Sequence, residues 1–198
     1  MQTTSENAQT VKSRTVFEPG NGSLEIFDLD PSETLLFALL KDLFENHWQE
    51  IDFGILIQGA AWEIKATSKP ESVSLHDGYL TVDFGAWHFH ICIGENKGSK
   101  ARPTDPTLKI HRRTSRAELY RQLNESGTPN CWGLRLYNGK NEQQLTVFLP
   151  NPFLTLDMQI AQEPDWSRLA LWDKLRKQWL GLSQPDPFDR SGHKFQHL

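Results

Sequence analysis

Trp87-His88-Phe89-His90-Ile91-Cys92-Ile93 is the stretch of this chain in which chemically competent side chains recur at the most regular spacing. In an extended strand alternate side chains point the same way, about 6 to 7 Å apart along the backbone, so His88, His90 and Cys92 share one face and the apolar residues share the other. Two imidazoles and a thiol in a row are candidate ligands for a divalent transition metal, zinc or iron first among them. A metal held there would bring the pKa of a bound water toward neutrality, which is the chemistry of a hydrolase or a lyase. Asp83 is the candidate catalytic carboxylate beside them. If Gly85-Ala86 is a two-residue turn, Asp83 stands across from His88 and can orient its ring; if Gly85 is a bulge in one long strand, that pairing disappears.

The local pattern is similar to the strand-borne His-x-His of cupins and of alpha-type carbonic anhydrases over those three residues, and the likeness implies a metal there. A second group lies further on. Alternation from Cys131 places Cys131, Arg135 and Tyr137 on one strand face, where Cys131 is the candidate nucleophile because a thiol near a guanidinium has its pKa lowered. Arg135 and Tyr137 are then candidate substrate-binding groups. The run His111-Arg112-Arg113-Thr114-Ser115-Arg116 is expected just before a helix N-terminus, where free N–H groups and the arginines together would bind a small anionic molecule. On this reading Arg112, Arg113 and Arg116 hold the substrate. No Gly-rich phosphate loop, CxxC pair, HExxH or Gly-x-Ser-x-Gly occurs.

The elements that must position these groups follow from periodicity. Asp30-Pro31-Ser32-Glu33 carries helix-start signals, and Leu36, Leu39, Leu40, Leu43 and Phe44 form an apolar stripe, which predicts a helix to about Trp48. Ser115 with Glu118 three residues on has capping-box spacing and predicts a second helix to about Gly127. A third is expected from Pro164-Asp165 to Gly181, with Trp166, Leu169, Trp172, Leu175 and Trp179 at helical spacing. Period-two patterns predict strands over 24–29, 51–66, 72–75, 79–84, 87–93, 131–137 and 143–149, with hairpin turns at His76-Asp77-Gly78 and Asn138-Gly139. The sum is an α+β single domain over 23–182: a mainly antiparallel sheet of about six strands with three helices on one face. Residues 1–22 and 183–198, polar or rich in Pro and Gly, read as flexible arms.

Composition narrows the function only weakly. The chain has 198 residues, 37% of them hydrophobic, enough for one packed core. Its formal net charge of −4 argues against a general nucleic-acid binder. The charge is uneven: residues 1–66 hold eleven Asp and Glu against four Lys and Arg, while 97–121 are basic. No apolar run approaches the roughly 20 residues of a membrane-spanning helix, no signal pattern opens the chain, and two cysteines are expected to stay reduced, so the expected compartment is the cytoplasm. Two further functions compete with a metal enzyme. One is a non-enzymatic binder of a planar anionic cofactor such as a tetrapyrrole, with one histidine as axial ligand. The other is an accessory or scaffold protein whose basic loop contacts a protein partner.

Overall fold

The computed structural model describes residues 13–57, 59–182 and 185–195. Strands β1 (Ser13–Glu18), β2 (Gly22–Leu29), β3 (Asp52–Gly54), β4 (Leu56–Ile57), β5 (Ala60–Ala61), β6 (Ile64–Lys65), β7 (Ser72–His76), β8 (Tyr79–Asp83), β9 (His88–Cys92), β10 (Thr114–Leu123), β11 (Pro129–Asn138) and β12 (Gln143–Phe148) alternate with helices α1 (Glu33–Asn46), α2 (Pro106–Arg112) and α3 (Ala170–Leu180). The domain is α+β, as the periodicities require. The single expected sheet is three: an antiparallel seven-stranded sheet in the order β1-β2-β10-β11-β12-β3-β6, the ribbon β4-β5, and the three-stranded β7-β8-β9.

One core joins α1, α3, the inner face of the large sheet and the apolar face of β7-β8-β9. Leu36, Leu40, Leu80, Ile93, Leu119, Trp132 and Trp172 are all fully buried in it. Two of the three helices therefore cover the sheet, because α2 buries no residue. The third expected helix holds, opening with a 3-10 turn at Trp166–Leu169 and ending where Gly181 takes the left-handed φ of 70°.

The helix expected from Ser115 is instead the interior strand β10. Ala117 and Leu119 point to the core, while Glu118 and Tyr120 point outward. The alternation is masked because Arg121 occupies an inward position. Helix-favouring residues are overridden by pairing on both edges, with β2 on one side and β11 on the other. A helix does stand just before it: Asp105 caps α2 by accepting from the N–H of Thr107 (2.8 Å), with Pro106 in the first turn.

Both arms are corrected where they are described. Ser13–Glu18 pair with β2 from Ser13 opposite Phe27 to Glu18 opposite Gly22; residues 1–12 lie outside the described residues. In the tail, residues 183–184 and 196–198 lie outside them, but Pro187–Arg190 form a 3-10 turn whose Asp189 is fully buried. Its carboxylate accepts from Arg121, from Arg176 Nη1 (3.1 Å) and from Trp132 Nε1 (3.2 Å). Removing one partner of such a cluster strands the other charges in the core. Asp189→Ala is expected to lower unfolding free energy by about 3 to 5 kcal/mol, read from urea denaturation; a loss under about 1 kcal/mol would show that the segment is not a structural anchor.

Candidate functional site

Gly85 takes a φ of 80° and the chain reverses there, with Phe84 N–H donating to the Trp87 carbonyl at 2.9 Å. The turn is therefore the alternative realised, and β8 pairs with β9 so that Asp83 faces His88, Thr81 faces His90 and Tyr79 faces Cys92. Two positive φ angles, at Asp77 (47°) and Gly78 (80°), close the preceding hairpin as its sequence predicts. His88 and His90 are exposed, their ring centroids 4.9 Å apart, and His90 Nδ1 lies 2.7 Å from Thr81 Oγ1.

Cys92 does not join them. Its thiol is buried, donates to the Gly94 carbonyl at 3.4 Å, and has its pKa pushed up by burial. Asp83 spends one carboxylate oxygen on the Gly85 N–H at 2.8 Å. Among the described residues no three His, Cys, Asp or Glu side chains gather as metal ligands would. The three-donor set His88, His90 and Cys92 is thus reduced to two imidazoles.

The second group lies on a different sheet. Cys131, Arg135 and Tyr137 project from the outer face of β11, with Gly133 between the first two. A Cβ on Gly133 would stand 2.7 Å from the Tyr120 ring, so the glycine makes room for that ring to lie across the strand, between Cys131 and Arg135. Arg135 packs on Tyr120 at 4.7 Å and donates to Glu18 Oε2 (2.8 Å) and Glu118 Oε2 (2.7 Å). Burial works against its charge, but the hydrogen bond to Glu18 leaves its pKa raised. Arg116 lies 3.6 Å above the Tyr137 ring and pairs with the same Glu118, as does Arg14 (2.6 Å).

This arrangement changes the chemistry expected of each residue. Arg116 and Arg135 are neutralised within the protein, so their charge serves packing before any ligand arrives. Burial pushes the Cys131 thiol up to about 11, the reverse of the lowering that a nucleophile needs. Arg112 ends α2 and Arg113 is its C-cap, so both stand where the helix presents carbonyl groups and not at an N-terminus; the Arg112 guanidinium donates to Asn96 Oδ1 at 3.1 Å. The five arginine and tyrosine candidates consequently divide between the outer face of the large sheet and the end of α2.

Sequence reasoning missed the cavities on that outer face. One, of about 450 Å³, is lined by Leu24, Leu56, Tyr120, Arg135 and Tyr137. Another, of about 660 Å³, is lined by Phe148, Leu149, Leu154, Leu156, Met158 and Arg168. Gln122, Cys131 and Phe148 belong to both. Arg168 has its Nε buried without a hydrogen-bond partner, and among the described residues it forms no salt bridge. Nothing in its local sequence marks it, since an Arg in the first turn of a helix reads as surface.

The model of a family of unknown function, DUF7676, matches residues 13–181. The chain belongs to that family. The match takes in every strand, all three helices and Arg168; the buried Asp189 lies beyond it. A search of the curated proteins found no match. Among the described residues no helix is long and apolar enough to cross a membrane.

The state of Cys131 can be measured in a Cys92→Ser background. With a pKa near 11, thiolate at pH 8 is on the order of one part in a thousand, so iodoacetamide should react about two orders of magnitude more slowly than with a free cysteine. The rate should rise roughly tenfold per pH unit to pH 10. A plateau near pH 8 would refute the half-buried, protonated thiol.

Proposed function

We propose that this DUF7676 member is a small-molecule-binding protein, and that its ligand is a small organic acid with an apolar body, held in the larger cavity with its carboxylate on Arg168. The observation that carries this reading is a guanidinium with no salt bridge among the described residues, one nitrogen of it buried, on the wall of a cavity whose apolar side is formed by Phe148, Leu149, Leu154, Leu156 and Met158 and whose polar side carries Glu50, Asp52, Glu63 and Lys65. A buried donor without a partner is costly, and a carboxylate supplies the planar, two-oxygen acceptor that a guanidinium fits best. The apolar wall then covers the rest of the ligand, the usual division of labour in a small-molecule pocket.

Among the arginines beside the outer face of the large sheet, the same charge accounting selects this one. Arg14, Arg116 and Arg135 already share Glu18, Asp28 and Glu118. An incoming anion at Arg135 would meet two carboxylates already bound to it; Arg168 has no carboxylate within salt-bridge distance among the described residues, Glu50, Asp52 and Glu63 lining the same cavity without pairing with it. The reading keeps the small anionic ligand expected from the basic residues and moves it to another site. It needs no nucleophile, which agrees with the raised pKa of Cys131.

Octanoate is a suitable probe, with 1-octanol as its uncharged counterpart. Octanoate is expected to raise the melting temperature and to bind with a dissociation constant about 10 to 100 times lower than in Arg168→Leu, the span of a charged hydrogen bond of 1.5 to 3 kcal/mol. Octanol should bind wild type and variant alike. Equal octanoate affinity in the two proteins, or none in either, would overturn the reading.

A further inference from the structure

The geometry points to an open transition-metal site at His88 and His90, independent of the organic-acid cavity and on a different sheet. The two rings project from the same side of β9, both exposed, with centroids 4.9 Å apart and planes inclined by 67°. A metal bound in the ring plane at about 2.0 to 2.1 Å from nitrogen lies roughly 3.2 Å from the ring centre. Two such rings with centres 4.9 Å apart subtend about 100° at the ion, between the square-planar and tetrahedral angles of imidazole-bound copper, nickel and zinc. The spacing found in the protein is thus one at which both rings can reach a single ion once a nitrogen of each is turned toward it.

The neighbours prepare the pair for that role. His90 Nδ1 is 2.7 Å from Thr81 Oγ1. With Nδ1–H donating to the hydroxyl, the Nε2 lone pair is left for a metal, and the ring's orientation is held by a residue outside the coordination shell. His88 makes no hydrogen bond or ion pair with a described residue, so its ring is free to turn toward the ion. Since no third protein donor gathers there among the described residues, the remaining positions open outward, to water or to a ligand in solution. This is a two-donor chelate of moderate affinity, stronger for nickel or copper than for metals earlier in the divalent series.

Untagged protein with its full chain should be retained on a Ni²⁺-charged resin and should bind one Zn²⁺ per chain in calorimetry. His88→Asn and His90→Asn are each expected to weaken Zn²⁺ binding at least tenfold and to abolish retention. Thr81→Val should weaken it several-fold, and the melting temperature should be unchanged in the two histidine variants because those side chains are exposed. His111→Asn and His76→Asn should bind as wild type. Zn²⁺ affinity that survives in the His88→Asn, His90→Asn double variant, or wild type that binds no Zn²⁺ at 1 mM, would overturn the proposal. Octanoate binding is a separate measurement, so failure of either site leaves the other standing or falling on its own result.

Discussion

Strand β10 lies inside the large sheet, between β2 and β11, and buries a charge on each of its faces, and that constraint organises most of what surrounds it. Glu118 on the outer side has no exposed surface and Arg121 on the inner side is 3% exposed. A buried charge without a partner costs several kcal/mol, so each must recruit neighbours. Arg121 recruits Glu25 from β2 and both Asp186 and Asp189 from the end of the chain. Glu118 recruits Arg14 from β1 and Arg135 from β11, along with Arg116 from its own strand. Two segments near the ends of the sequence are thereby fixed to the middle of the sheet, one on each face.

That recruitment also decides where a ligand charge can go. On the outer face the arginines and carboxylates form a closed set, with Tyr120 and Tyr137 as flat surfaces under the guanidinium groups. Arginine is suited to this because its charge is diffuse and its plane stacks on aromatic rings. The outcome is a polar wall with little free charge beside a cavity in which Arg168 forms no salt bridge among the described residues. Cys131 stands at the junction of the two cavities. Kept as a thiol by burial, it contributes a small apolar side chain there and no charge.

What could be read from the sequence is what depends on local parity. Over 79–93 alternation assigns most residues correctly, since Leu80, Val82 and Ile91 are buried while His88 and His90 are exposed; the two ends of the β9 segment depart from it, with Cys92 buried and Trp87 exposed. The Gly85 turn leaves that parity intact on both sides. The apolar stripe of α1 and the tryptophans of α3 were legible for the same reason. The buried tail was not, because one carboxylate holds it: Asp189 meets Arg176 13 residues away and Arg121 68 residues away. Its composition, with two prolines and few apolar side chains, resembles a linker. The cavity wall was hidden in the same way, since it brings β12, the segment after it and the turn before α3 together only in three dimensions.

The mistaken helix shows how one assignment propagates into chemistry. Residues 118 and 121 are three apart. On a helix that spacing makes them neighbours on one side, where Glu118 and Arg121 would satisfy each other at the surface and leave the preceding arginines free for an anion. On a strand the same odd spacing sends them to opposite faces, and each must be paired by residues distant in the chain. The arginines that appear free in the first geometry, Arg116 above all, are consumed in the second. Substrate assignments made from a basic run are therefore only as good as the assignment of the element that follows it, and here the change from a 3.6-residue to a two-residue period leaves Arg116 paired with Glu118, whereas Arg168 keeps a buried Nε without a hydrogen-bond partner.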